Sequence, residues 1–299
     1  MQRRKVVKLA VGIILSPFIL FIILTVLLYI PPIQNWIVRQ VTTYASEQTG
    51  MDISVDHVKL VFPLDLGVEG FKMIQQNDFL PGIKDTVADV RKLVVDVQLW
   101  PLLKKKVEID ALEFNDVKLN TADFVHEARV KGAVGRLYLK SHGIDLGKET
   151  IRVNDMSLAD ANVNVELSDT VPPDTSKTEN NWKISVDKLN ISKTKVSVHM
   201  PGDTLQIGAY IGDAGATNGF FDLKSGLYKI QRFELSDSEV AYDNNFKKHV
   251  EGLDPNHITL TGVNIAIDTL YFCSPDISLS LRSCSFKEKS GINVDQFTG

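Results

Sequence analysis

The sequence predicts a mainly β protein carried behind one apolar helix, and three observations predict it. Leu9 to Ile30 is a run of 22 residues without a charge. Beyond Gly50 the apolar residues switch to a period of two. One strand-like pattern then returns five times before the end.

The apolar run comes first. About twenty apolar residues at 1.5 Å each cover a hydrocarbon core of roughly 30 Å. Only a helix satisfies its own backbone there, and Pro17 is tolerable as a kink. Arg3, Arg4, Lys5 and Lys8 all precede the run, and Tyr29 stands where an interfacial aromatic would. The positive-inside rule keeps residues 1–8 in the cytoplasm, makes 9–30 a transmembrane signal anchor and exports the rest. A cleavable secretory signal shares the basic start, but its apolar stretch is shorter and ends in small residues. Here the run ends in Tyr29-Ile30-Pro31-Pro32.

Charge divides the chain at the same place. The 33 Lys and Arg against 37 Asp and Glu give −4 overall, a number typical of a soluble protein. The first thirty residues carry +4, so the remainder carries −4 − 4 = −8. A domain-wide basic excess for nucleic-acid binding is absent, and the composition is that of a folded chain.

Residues 31–50 read as a short amphipathic helix. Ile33, Trp36, Ile37, Val41, Tyr44 and Ala45 share one helical face, Pro32 suits its first turn and Gly50 its stop. It either packs on the following strands or lies on the membrane surface. Its few charges, Arg39 and Glu47, favour packing.

From residue 51 to 299 the pattern is strand. Ile53, Val55, Val58, Leu60 and Phe62, then Leu93, Val95, Val97 and Leu99, alternate with polar residues as in a sheet with one wet face. Segment 168–181, SDTVPPDTSKTENN, is a loop that either divides two blocks or links neighbouring strands. Gly212, Gly215 and Gly219, in GDAGATNG, read as a glycine-rich turn.

The five windows are IDALEFNDVKL, VNDMSLADANV, VDKLNISKTKV, IQRFELSDSEV and IDTLYFCSPDI, starting at Ile109, Val153, Val186, Ile230 and Ile267. Positions i, i+3, i+5 and i+10 are apolar in each, and the starts lie 44, 33, 44 and 37 residues apart. Apolar positions are odd before a polar gap and even after it. A period of two crosses such a gap only through a turn or bulge, so each copy is a strand, a bend and a second strand. Repeats of this kind predict an elongated β array whose units bury their apolar faces by stacking on one another.

Motifs for chemistry are weak. His57, His126, His142, His199, His249 and His257 are scattered, with no spacing that makes a metal site. No C-x-x-C, nucleophile elbow, Walker loop or dinucleotide fingerprint occurs. No catalytic residue, metal or cofactor is therefore assigned. Asn190-Ile191-Ser192 matches a glycosylation acceptor but falls within a strand pattern. For Cys273 and Cys284 a disulfide and two free thiols stand equally open in an exported chain.

Two stretches carry a resemblance. PPIQNWIVRQVTTYASEQTGMDISVDHVKLVFP and KDTVADVRKLVVDVQLWPLLKKKVEIDALEFNDVKL resemble the N-terminal region of AsmA-like proteins. The branch is that of the TamB translocation and assembly module of Bacteroidetes-type bacteria. Its signature rests on Gln34, Trp36 and Gly50, on Asp85-Thr86, and on Leu99-Trp100-Pro101-Leu102-Leu103. The ending SFKEKSGINVDQFTG also resembles the family's repeated strand turn. The resemblance implies an inner-membrane anchor and a periplasmic β-groove, or β-taco, whose apolar interior conducts phospholipids between the two membranes. It also implies a partner, an outer-membrane barrel assembly protein, and hence a role as scaffold for barrel insertion. Family members are far longer and end in a C-terminal domain, so the expectation is an N-terminal portion of a longer protein.

The residues expected to line the groove are the i+3 and i+5 pairs: Leu112 and Phe114, Met156 and Leu158, Leu189 and Ile191, Phe233 and Leu235, Leu270 and Phe272. Core packing between two sheets would use the same positions.

Overall fold

One helix, α1 (Pro31–Thr49), precedes thirteen strands in the computed structural model, which describes residues 31–61, 65–76, 82, 84–97, 109–121, 128–145, 149–168, 181–252 and 254–297. The strands are β1 (Asp52–Ser54), β2 (His57–Val61), β3 (Asp65–Gln76), β4 (Lys84–Val97), β5 (Ile109–Asn120), β6 (Ala128–Asp145) and β7 (Thr150–Leu167). They continue with β8 (Lys183–His199), β9 (Leu205–Asp222), β10 (Leu227–Asn244), β11 (His257–Cys273), β12 (Ser278–Lys287) and β13 (Asn293–Phe297). The predicted anchor, 9–30, and the basic tail before it lie outside the described residues. Among the described residues no helix is long and apolar enough to cross a membrane.

Helix α1 ends where the sequence placed its stop. Gly50 takes a φ of 69° and its N–H donates to Ser46 O at 2.9 Å, closing the last turn. The helix touches β1 and β2, and Ile53 N donates to Ser46 Oγ at 2.9 Å. Among the described side chains of α1, Gln34, Val38, Thr42 and Ser46 are half-buried, one residue per turn. Trp36, placed on the buried face by periodicity, is 62% exposed.

All thirteen strands form one open sheet in the order β1-β3-β4-β5-β6-β7-β8-β9-β10-β11-β12-β13, with β2 beside β1 on the same edge of β3. Neighbours run antiparallel except β7 and β8, which pair in parallel from Thr150↔Lys183 to Glu166↔His199. Parallel neighbours need a crossover that returns the chain to the same end. Residues 169–180 lie outside the described residues, and the strands on either side of them, β7 and β8, are neighbours in one sheet.

The topology also explains the repeat spacings. Windows 44 residues apart are two strands apart through an antiparallel pair: β5 to β7 through β6, and β8 to β10 through β9. The spacing of 33 is the parallel step from β7 to β8, where every paired residue is 33 positions from its partner. The fifth window is out of frame. Strand β11 runs against β10, so Ile267 stands opposite Phe233 and Leu270 opposite Ile230. Apolar residues three apart read alike in both directions, which is why the pattern matched there. Its last positions run through the β11–β12 turn, not a bend within one strand.

Candidate functional site

Bends of the kind the parity switch requires are present in four windows, and they align. The residue at i+7 has a positive φ in each: Asp116 (51°), Asp160 (54°), Lys193 (45°) and Asp237 (48°). Aspartate tolerates this left-handed conformation better than most residues, and lysine does not. The pairing registers omit Gly70, Arg91, Asp116, Gly135, Asp160, Lys193, Gly212, Asp237 and Gly262, one residue per strand from β3 to β11. Every strand from β3 to β11 thus carries an unpaired, bulge-like residue on the same transverse line, here termed the first crease.

A bulge reverses which face the next side chain meets. Residues three apart across the crease therefore share a face, as Leu93 with Val90, Phe114 with Val117, Leu137 with Val134 and Leu158 with Ala161. Those eight residues, with Phe71 and Leu119, pack in one apolar cluster, and Val90, Val117, Val134 and Ala161 are its buried members. Further along the crease the buried positions are Thr194, Ser238 and Val263. The hydroxyls are satisfied within their own bulges: Thr194 Oγ1 donates to Ser192 O at 3.0 Å and Ser238 Oγ to Ser236 O at 2.9 Å.

GDAGATNG is not a turn. It lies inside β9, and its small residues serve the crease and the rows beside it. A Cβ on Gly212 would stand 2.5 Å from Asp237 O, so the neighbouring bulge admits only glycine there.

Two continuous rows run beside the first crease. One passes through Val95, Leu112, Leu139, Met156, Leu189, Ala216, Phe233 and Ile267. The other passes through Val68, Leu93, Phe114, Leu137, Leu158, Ile191, Ala214, Leu235 and Ile265. Eight of the ten predicted lining residues stand in these rows. The other two, Leu270 and Phe272, stand in a second pair of rows with Ile230 and Tyr228. There Tyr228 stacks on Phe272 with centroids 5.8 Å apart and meets the edge of Phe221 at 6.1 Å.

A second crease separates the two pairs of rows. The registers omit Asn154, Asp187, Asn218, Gln231, Thr269 and Arg282, from β7 to β12. Its side chains pair across strands: Asn154 Nδ2 donates to Asp187 Oδ2 at 3.0 Å, and Asn218 Nδ2 donates to Gln231 Oε1. Arg282 holds Asp268, and that guanidinium keeps the Asp268 carboxyl below the usual carboxylate range.

All ten predicted lining residues are half-buried, and the described residues hold no second sheet over them. The polar side of the sheet carries ion pairs such as Arg136 Nε to Glu113 Oε1 at 2.9 Å, exposed and individually weak. Arg136 and Lys229 also lie over the Tyr138 and Tyr271 rings, at 5.6 and 5.2 Å from their centroids.

The disulfide reading is corrected by register. Cys273 stands opposite Ser278 while Cys284 stands opposite Ile267, and both are free. Six residues of β12 separate those two levels, about 20 Å at roughly 3.3 Å per residue. A disulfide needs Cα atoms within about 7 Å.

One constellation escaped the sequence reading. Where β10 passes into β11, the ligand atoms of Asp243 at the end of β10, His249 in the connection and His257 at the start of β11 lie within 4.8 Å of one another. His257 Nδ1 is 2.9 Å from Asp243 Oδ1, and its Nε2 is 2.9 Å from the Lys247 carbonyl oxygen. A carbonyl only accepts, so Nε2 carries a proton. The Asp243 carboxylate, then the Lys247 carbonyl, raise the His257 pKa. His249 stacks on His257 with ring centroids 3.6 Å apart. Asp254 is buried and accepts from Val250 N at 3.0 Å and Asn256 N at 2.9 Å, which holds its carboxyl low. The Asp243↔His257 register of the β10–β11 hairpin brings two of the three together.

The geometry defines an open, twice-creased, single-layer sheet with one apolar face. No family model matches the chain, and no curated protein matches it.

Proposed function

We propose that this chain is an anchored lipid conduit of the AsmA/TamB type, moving phospholipids between inner and outer membranes. The 9–30 helix holds it in the inner membrane, with Arg3, Arg4, Lys5 and Lys8 cytoplasmic and the sheet periplasmic. The observation that carries the reading is the pair of unbroken apolar rows from β4 to β11, half-buried and uncovered by any described layer.

The mechanism is differential solvation. Each methylene costs about 0.8 kcal/mol in water, so an acyl chain of about fifteen loses on the order of 12 kcal/mol outside a membrane. A continuous apolar trough offsets that cost at every position along its length. The chain then slides without a large barrier while its head group stays in water at the rim. No step makes or breaks a covalent bond, so the role is not enzymatic.

A second reading has one observation in its favour. Among the described residues β13 pairs only with β12, leaving its outer edge open to strand addition. On that reading the chain is a scaffold that helps a barrel partner insert outer-membrane proteins. Leu158→Asp and Leu235→Asp, in variants verified as folded, separate the two. The conduit reading expects outer-membrane phospholipid to fall with barrel insertion less affected. Intact lipid distribution with defective insertion overturns it in favour of the scaffold.

A further inference from the structure

The geometry points to a divalent transition-metal site in the β10–β11 connection, with Asp243, His249 and His257 as ligands and zinc as the ion that suits them. Two imidazoles and one carboxylate are a borderline donor set, the kind that takes zinc and its first-row neighbours in preference to calcium or magnesium.

The arrangement has the supporting contacts that a ligating histidine requires. A metal-bound imidazole normally donates its other N–H to a carbonyl or carboxylate, which fixes ring and tautomer. His257 does this: Nε2–H points at Lys247 O at 2.9 Å, leaving Nδ1 toward Asp243 Oδ1 at 2.9 Å. The loop that brings His249 is held by Asp254, whose two oxygens accept from Val250 N and Asn256 N. Asp254 Oδ2 also lies 3.9 Å from His249 Nδ1, placing a second carboxylate behind the ligands.

Closure asks little of the fold. Ligand atoms around a tetrahedral zinc with bonds of about 2.0–2.1 Å lie about 3.3 Å apart. The present atoms are within 4.8 Å, with the two strand-borne ligands already adjacent. The His249 side chain is 77% exposed, so its ring can turn toward the other two by giving up its stacking on His257. Water completes the shell. A metal here ties the end of β10, the start of β11 and the loop between them, and so fixes one end of the sheet. This holds whether or not the sheet carries lipid.

The test uses the full chain in detergent, stripped with a chelator and titrated with zinc against a chromophoric competitor. His249→Ala is the first variant, because that side chain is exposed and its loss spares the fold; Asp243→Asn is the second. The expected result is one equivalent of zinc, bound at least about tenfold more weakly in each variant. Replacing both Cys273 and Cys284 by serine leaves the affinity unchanged. Zinc bound equally well by the wild type and both variants overturns the proposal, and so does a wild type that binds no zinc at micromolar concentration.

Discussion

The two creases solve one geometric problem with different chemistry. Both insert one extra residue per strand, so that residues three apart face the same way. The first turns its extra residues outward and buries Val90, Val117, Val134 and Ala161 against the apolar rows. The second is lined by Asn154, Asp187, Asn218 and Gln231, which pair with one another, and by Arg282, which holds Asp268. Bulge position therefore sets the shape of the trough, and the side chains at the bulge decide how much stability rests on it.

The largest effects are expected at the first crease. Val117→Asp places a carboxylate in the buried cluster and is expected to cost about 3 kcal/mol or more. Thermal denaturation followed through the strand circular-dichroism band reads this as unfolding or a large fall in Tm. Gly212→Val meets the Asp237 carbonyl and is expected to cost about 2 kcal/mol. A Gly212→Val protein as stable as the wild type would show that the aligned bulges are not tightly coupled.

Where the first crease runs out, the turn after β12 closes over it, with Lys289 N donating to Thr261 O at 2.9 Å. Glu288 organises that turn, accepting from the Ser290 hydroxyl, from Ser290 N at 2.9 Å and from Ile292 N at 3.0 Å. Those bonds, the Ser290 hydroxyl first, hold its pKa below the ordinary 4.5. A depressed carboxylate contributes stability in full above its unfolded pKa and loses it as pH falls through the folded value. Amide protection at Ser290 and Ile292 is therefore expected to hold at neutral pH and to be lost as the pH falls below 4.5 and through the depressed Glu288 value. In Glu288→Gln this pH dependence disappears.

Smaller effects sharpen the contrast. Asn154→Ala removes an exposed bond at the second crease and is expected to cost under about 1 kcal/mol in urea unfolding. Lys193→Asn replaces the one long side chain forced to a positive φ at the first crease by a residue that tolerates it. A gain of about 0.5 kcal/mol is expected.

Much of the sheet is visible in the sequence because its period of two is broken at a fixed place. The shift from odd to even apolar positions foretells the bulges at Asp116, Asp160, Lys193 and Asp237, and the i+3 and i+5 residues foretell the rows. What fails is direction. Ile267 and Leu270 fit the pattern although β11 runs backwards, because apolar residues three apart read alike either way. The glycines of β9 look like a turn since the sequence does not show the Asp237 bulge that demands Gly212. The histidine pair is invisible for a related reason. Eight residues separate His249 from His257, and only the hairpin register seats the latter on Asp243. On α1, periodicity does not foretell that Trp36 is exposed while Ser46 bonds the backbone of β1.

The most direct measurement is site-specific photocrosslinking in cells from a photoreactive residue at Leu158, and at Leu235 in the same row. A lipid trough gives phospholipid adducts at both positions, and none from a control at Lys195 on the polar side. Crosslinks confined to protein at both positions would contradict the claim that this face is a lipid trough.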